Sequence, residues 1–278
     1  MRGKGLTLIE VLVVIVIIAV LTAMTVPVLQ KSKEQGKELI CFNNLRELGF
    51  AVVIYSQENT TFPQGFCGNP SCHPSIPSDE YELLGTSLSE DWQNSWWWFH
   101  LLTDIVEEDF TKDGPLWCPS KRISDKEMSK NILCSNYGIN YSICRITMNS
   151  TDEFFGDPLR TDRIGSPSGK LLLMDAGYAL ISWKVFVPDA GADPFELGFE
   201  LPARQYSYYL PGAFVNQDRY ENGSINEIQR EDAVKGRHSS GKFNAVFADG
   251  HVDRTKASSV EPDFDATGTV LNSSYWSP

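Results

Sequence analysis

The hydrophobic pattern at the N-terminus predicts a membrane-spanning helix. Apolar residues begin at Leu6, and no charged residue occurs between Val11 and Leu29. A helix over that run rises about 1.5 Å per residue and spans roughly 28 Å, close to the hydrocarbon thickness of a bilayer. Apolar residues lie all round this helix, which excludes an amphipathic surface helix. We therefore expect a short leader over residues 1–5 and a transmembrane helix over residues 6–29.

A second pattern extends the helix beyond the membrane. Five apolar residues recur at alternating spacings of four and three: Cys41, Leu45, Leu48, Val52 and Tyr55. This spacing predicts one apolar face of a helix. The interpretation is a single helix from about Leu6 to Gln57, with an amphipathic extension over residues 30–58 that ends near Pro63. A separate short helix after a break at Gly36 is the alternative.

The remaining residues, 59–278, predict an α+β head of short strands and turns. Lys170–Met174 is a continuous apolar run typical of a buried strand, and Asp249-Gly250 between two apolar runs predicts a β-hairpin. The aromatic segment Asp91–Val106 predicts a helix in the core, and Pro188–Arg230 an exposed insertion. The expected fold is a long N-terminal helix packed on an antiparallel β-sheet head.

The charged residues predict the orientation of the chain in the membrane and disfavour one class of partner. The 278 residues carry 24 basic and 36 acidic side chains, and this net charge of −12 disfavours nucleic-acid binding. Arg2 and Lys4 precede the apolar run, so the positive-inside rule places the N-terminus in the cytoplasm and the head outside. A cleaved secretory signal and a plain anchor are alternatives, but neither explains the carboxylate of Glu10 at the edge of the apolar run.

The residues around Glu10 resemble a known processing signal. Gly5-Leu6-Thr7-Leu8-Ile9-Glu10 is similar to the class III signal of type IV prepilins and type II secretion pseudopilins. The resemblance implies a pilin-like fold, cleavage between Gly5 and Leu6 by a prepilin peptidase, and N-methylation of Leu6 by the same enzyme. It also implies that Glu10 pairs with the N-terminal amine of a neighbouring subunit during assembly, and that Pro27 kinks the helix.

A second resemblance lies in residues 237–254. Arg237-His238 and the later Asp249-Gly250 resemble the H-x9-DG signature of a large group of prepilin-like proteins, except that ten residues separate His238 from Asp249. The segments around Cys41-Phe42-Asn43-Asn44-Leu45, Cys118-Pro119-Ser120 and Asn136–Asn140 match that group as well. The resemblance leaves the biochemical role of the signature open, and a hairpin-bracing His238 is the simplest interpretation.

Motifs for other chemistry are weak. The sequence lacks a G-x-S-x-G elbow, an H-E-x-x-H pair and a P-loop, so we expect no enzyme and no catalytic residues. Asp263 and Asp265 offer two oxygen ligands for calcium, although an acidic solvated loop is the simpler interpretation. No other metal or cofactor is expected. The tryptophan cluster near residue 97 suggests either ligand stacking or, more simply, core packing.

The six cysteines allow fifteen pairings. A tight turn favours a local bridge between Cys67 and Cys72, and a turn-bearing segment favours another between Cys134 and Cys144. Cys41 and Cys118 then remain for a bridge between helix and head. The alternative is that Cys41 is a buried apolar residue without a covalent partner.

Together with these patterns, the resemblance implies a processed, N-methylated pseudopilin-like subunit of a type II secretion pseudopilus or pilus-like fibre. It would cross the inner membrane once, with its head in the periplasm, and contact other pseudopilin subunits through the N-terminal helix. The alternative function is a membrane-tethered, extracytoplasmic ligand-binding protein that does not polymerise.

Overall fold

The computed structural model describes residues 7–67, 96–102, 105–106, 114–121, 132–133, 136–147, 156–177, 179–181, 237–238, 242–256, 259–260, 263–264, 270–272, 274–276 and 278. Within them a long helix packs on a head of short strands. The elements are α1 (Leu8–Asn59), β1 (Phe66–Cys67), β2 (Trp96–Trp97), β3 (Tyr137–Asn140), α2 (Tyr141–Cys144), β4 (Ile146–Thr147), β5 (Leu171–Asp175), β6 (Leu180–Ile181), β7 (Lys242–Phe247), β8 (Val252–Lys256), β9 (Asp263–Phe264) and β10 (Val270–Asn272). Three short 3₁₀ helices, Trp98–Leu102, Thr161–Arg163 and Pro167–Gly169, connect them.

Helix α1 is one continuous element of 52 residues. Thr7 caps its N-terminus, and Thr60 ends it in the left-handed conformation with φ 59°. The helix passes through Gly36 and Pro27 without interruption. The prediction of a single helix is therefore confirmed, and the alternative of a break at Gly36 is wrong.

The two halves of α1 have different surroundings. Among the described residues, α1 is the one helix long and apolar enough to cross a membrane, by length and composition. Its first half is exposed along its apolar side chains, whereas burial against the head begins at Glu38. The predicted stripe is confirmed: Cys41, Leu45, Leu48 and Val52 are fully buried, and Tyr55 packs at its edge.

The central sheet has five strands in the order β6-β3-β5-β7-β8. The predicted strand near residue 170 is the central β5, and the predicted hairpin is β7–β8. The sheet is mixed rather than purely antiparallel, because β6 pairs with β3 in parallel. The chain turns back after β5 and places β6 on the far side of β3, which itself runs antiparallel to β5.

Both faces of this sheet are covered. Val246 of β7 and Leu172 of β5 belong to the core shared with α1. Ala245 and Leu171 belong to a second core that is completed by Trp276, whose side chain is fully buried. Burial on both faces explains why residues 171–174 of β5 are all apolar.

The tryptophan-rich segment does not form the predicted α-helix where it is described. Trp96–Trp97 forms strand β2, paired with β1, and a 3₁₀ helix follows. The backbone N–H of Trp97 donates to Nδ1 of His100 at 3.1 Å, which favours a tight turn over a regular helix. The predicted insertion Pro188–Arg230 lies outside the described residues.

Candidate functional site

The start of α1 carries a capping box that holds Glu10 in place. The hydroxyl of Thr7 accepts from the backbone N–H of Glu10 at 3.3 Å. In return, the Glu10 carboxylate accepts from the backbone N–H of Thr7 at 2.7 Å and from its hydroxyl at 2.8 Å. These bonds fix the position of the carboxylate but supply no positive charge. The predicted cleavage site, Gly5 and Leu6, lies outside the described residues.

A second cluster lies where α1 first meets the head. Four residues each direct one ligand-type atom to a common point, with these atoms all within 4.8 Å of one another: Cys41, Cys118, Asp175 and His238. Their side chains are at most 6% exposed. Helix α1, the loop 114–121, the end of β5 and the segment before β7 thus converge in the core.

Hydrogen bonds position the loop that carries Cys118. The side-chain amide of Asn44 on α1 donates to the carbonyl of Trp117 at 3.0 Å. The backbone N–H of Cys118 donates to the side chain of Asn136 at 3.1 Å. Hydrogen bonds of the Asn44 and Asn136 side chains therefore hold Cys118 beside α1, in addition to the contacts of its own side chain.

His238 is paired with Asp175. Its Nε2 lies 2.9 Å from Oδ2 of Asp175, and the same oxygen accepts the backbone N–H of Asn244 at 2.7 Å. The adjacent Arg237 is buried and donates to the carbonyls of Asn136 and Ala176 at 3.0 and 3.1 Å. These bonds tie the segment before β7 to the end of β5.

The electrostatics of the cluster distinguish the two sulfurs. Burial raises the pKa of Cys118, but the hydrogen bond from Cys41 and the charges of Arg237 and His238 outweigh it, so this pKa lies below its ordinary value. Burial and the neighbouring Cys118 raise the pKa of Cys41. Cys118 is thus the more acidic thiol of the pair.

The structure contradicts one predicted cysteine pairing, and a second stays a prediction because one of its partners lies outside the described residues. Cys67 is disulfide-bonded, while its predicted partner Cys72 lies outside the described residues. Cys144 is a free, fully buried thiol at the end of α2, so the predicted Cys134–Cys144 bridge is not formed. The short α2 turns this side chain into the core beside Tyr55; Cys134 itself is outside the described residues.

Cys41 and Cys118, the third predicted pair, lie together as thiols. Their sulfurs are 2.7 Å apart and both are buried. The structure therefore places the predicted partners in contact without a covalent bond between them.

The Asp-Gly part of the signature forms the β7–β8 turn. Gly250 has φ 89°, and a Cβ there would lie 2.9 Å from the side chain of Val53 on α1. Asp249 pairs with His251 at 2.6 Å. Asp249 and Gly250 therefore shape the hairpin and its close approach to α1, while His238 has a different carboxylate as its partner.

Two further candidates have less support as ligand sites. Trp97 and Trp98 are buried in the core, and the indole N–H of Trp98 donates to the carbonyl of Ala179 at 3.1 Å. These two rings are core residues and not a stacking surface. Asp263 lies in β9, whereas Asp265 is outside the described residues, so the calcium site stays a prediction.

Sequence reasoning missed several partners of these sites. The Thr7-x-x-Glu10 spacing is the capping-box signature and could have been recognised. Asp175 and Arg237 had no comparable local signal, because their contacts join segments that are far apart in sequence.

Comparison with known proteins points to the same N-terminal segment. The family model for the prokaryotic N-terminal methylation motif matches residues 1–26. The chain is 34% identical over 79 residues to the type II secretion system core protein G of Klebsiella pneumoniae, covering 26% of this chain and 56% of that protein. The N-terminal part of the chain is therefore similar to prepilins and pseudopilins.

A second relative matches over a shorter stretch. The chain is 32% identical over 62 residues to the type II secretion system core protein G of Pseudomonas aeruginosa, covering 22% of this chain and 44% of that protein. It thus spans about half the length of the curated relatives it matches. No solved structure matches it. With its apolar helix, the similarity fits a single-pass protein of the inner membrane.

Proposed function

We propose that the chain is processed by a prepilin peptidase and assembles, through α1, into a type II secretion pseudopilus or pilus-like fibre. Cleavage would fall between Gly5 and Leu6, with N-methylation of Leu6. The basic residues before the apolar run favour a cytoplasmic N-terminus and a periplasmic head. Other pseudopilin subunits are the expected partners. The match to the methylation motif over residues 1–26 is the observation that carries this proposal.

Glu10 is the residue on which assembly would depend. Its hydrogen bonds to Thr7 supply no positive charge, and a carboxylate drawn to the centre of a bilayer without a partner would cost about 2.5–3.5 kcal/mol. The freed, methylated amine of a neighbouring subunit supplies the missing cation. Bringing two helices together then neutralises both charges, which favours a polymer over a single tethered chain.

Processing can be tested by intact-mass measurement of the membrane-extracted protein. We expect loss of residues 1–5 and the mass of one added methyl group. Gly5→Leu should leave the full-length precursor in the membrane. A Gly5→Leu protein that matures normally would contradict the proposed cleavage site.

Assembly can be tested separately from the helix cap. Glutamine also satisfies a capping box, so Glu10→Gln keeps the hydrogen bonds to Thr7 and removes only the charge. We expect Glu10→Gln to be cleaved and inserted but to lose subunit crosslinking in the membrane. Thr7→Ser, which keeps cap and charge, should crosslink normally. Unchanged crosslinking of Glu10→Gln would favour the tethered binding protein instead.

A structural role, without enzymatic activity, is part of the same proposal. The cluster of His238, Asp175 and the two cysteines is buried beneath α1, with no more than 6% of any side chain exposed. This burial favours a structural role for the cluster. The similarity to secretion core proteins also favours a subunit over an enzyme.

A further inference from the structure

We propose that Cys41 and Cys118 close into a disulfide that ties α1 to the head at the membrane-proximal end of their interface. The inference rests on the proposed function in one respect only, namely that the head lies outside the cytoplasm. It gives the two thiols a role that the N-terminal motif does not require.

Geometry supports this pairing. The sulfurs lie 2.7 Å apart, and a disulfide bond of about 2.05 Å needs only a small movement of two side chains. The bonds from Asn44 to the Cys118 loop and from Cys118 to Asn136 hold the backbones in place without help from the sulfurs. The ordered surroundings therefore present the two thiols to each other before any bond forms.

The chemistry of closure is a thiol–disulfide exchange with an external oxidant. An envelope protein disulfide, as oxidant, first accepts attack by one thiolate and forms a mixed disulfide, with release of one thiol of the oxidant. The other sulfur of the pair then attacks the mixed disulfide and expels the second thiol. In total two protein thiols lose two electrons and two protons, and one disulfide of the oxidant becomes two thiols. The positive charges of His238 and Arg237 favour the thiolate of Cys118 in this exchange.

The position of the bond gives it a purpose. Burial of α1 begins at Glu38, so Cys41 lies in the first turn that touches the head. The side chain of Glu38 is the next anchor, paired with Arg254 at 3.0 Å. A covalent link here prevents the helix from peeling away from the sheet where the free part of α1 begins.

A metal ion is the competing occupant of the same cluster. Two cysteines, a histidine and an aspartate are suitable ligands for zinc. Two thiolates on one tetrahedral zinc ion lie roughly 3.7 Å apart, given Zn–S bonds of about 2.3 Å, which is wider than the observed separation. In an oxidising compartment, two thiols this close together are also converted to a disulfide and are then no longer available to bind zinc. The observations therefore favour the disulfide.

The decisive experiment maps thiols in the full chain extracted from membranes. Cells are lysed in denaturant with N-ethylmaleimide, and the protein is digested with trypsin without reduction. Cys41 and Cys118 fall in separate tryptic peptides, residues 38–46 and 113–121, each with one cysteine. We expect these two peptides to be joined and to separate on reduction. Both peptides alkylated, or equimolar zinc in a parallel native sample, would overturn the proposal.

Variants keep the test decisive if one of them folds poorly. Cys41→Ala and Cys118→Ala should each lower the melting temperature of the detergent-solubilised protein by about 10 °C, and the double variant by no more. Reduction should lower the melting temperature of the wild type by more than that of the double variant, which keeps the disulfide of Cys67. Cys144→Ala, a buried free cysteine of the same core, is the matched control and should keep the link. Equal sensitivity of the wild type and the double variant to reductant would overturn the proposal.

The fate of Cys67 separates failure of this inference from failure of the proposed function. If Cys67 is oxidised while Cys41 and Cys118 are free, the disulfide proposal is wrong and the compartment is right. If Cys67 is reduced as well, the head is not in an oxidising compartment, and the topology in the proposed function is wrong.

Discussion

The close approach of α1 to strand β7 makes Gly49 a sensitive position. Gly49 is buried on the face of the helix that packs on the sheet. A Cβ at this position would lie 2.7 Å from Cγ1 and 3.2 Å from Cγ2 of Val246. We therefore predict that Gly49→Ala destabilises the protein, although alanine is the better helix former.

The expected magnitude is the balance of two opposing effects. Alanine in place of glycine stabilises a helix interior by about 1 kcal/mol. Overpacking a core costs about 1–3 kcal/mol, and here the upper part of that range applies, because Val246 is fully buried and β-branched. The net loss is about 1–2 kcal/mol, which lowers the melting temperature of a head of this size by about 2–8 °C.

The assay is thermal unfolding of the full chain in detergent, followed by tryptophan fluorescence. Gly36→Ala is the matched control, because a Cβ at Gly36 meets no atom within 4 Å. It should leave the melting temperature unchanged or raise it. In the double variant Gly49→Ala/Val246→Ala, the total loss of stability should be smaller than the sum of the losses in the two single variants. A Gly49→Ala protein as stable as Gly36→Ala, or additive losses, would refute the reasoning.

Two further predictions concern the head. Trp276→Ala should cost about 3–5 kcal/mol in urea unfolding, because this fully buried side chain completes the second core, whereas Tyr275→Ala, 37% exposed, should change stability by no more than about 0.5 kcal/mol. The second prediction is that the stability of the fold depends on pH through the protonation of His238. Burial lowers the pKa of His238, but the charge and hydrogen bond of Asp175 raise it above its ordinary value. Protonated His238 therefore stabilises the fold below about pH 6.5, and this contribution is lost as pH rises through the raised pKa. The difference in urea midpoint between wild type and His238→Gln should shrink over that range; parallel profiles would contradict the assigned ion pair. Burial also lowers the pKa of His100, to about 3, which acts in the opposite direction below pH 6.5 and is common to both proteins.

The parts of the fold predicted from sequence are those set by local patterns. Helix α1 was predictable because its apolar run and its stripe share one helical period. The β7–β8 hairpin was predictable because Asp249-Gly250 specifies the turn. The segment around Trp97 was not, since consecutive tryptophans have no period and their backbone is set by His100 and by pairing with β1. The parallel β6 likewise depends on the path of the chain across β3.

The candidate sites divide in the same way. Glu10 and its motif lie within a few residues of each other, so the sequence alone identified them. Cys41 and Cys118 were paired by elimination, and the structure brings them together, while Cys144 is free. The partner of His238 could not be predicted, because Asp175 ends a strand in a distant segment and nothing in its local sequence marks it.

The unbroken course of α1 also sets the direction in which the head faces. Residues 30–37 join the apolar run to Glu38, the first buried residue, without a break in the helix. With the apolar run across a bilayer, these residues, at about 1.5 Å each, would hold the head roughly 12 Å beyond the hydrocarbon, past the layer of lipid headgroups. Each residue added to this spacer would raise the head by about 1.5 Å and rotate it by about 100° around the helix axis. The number of residues between Leu29 and Glu38 therefore determines the direction in which the head points around the axis of the apolar half of α1.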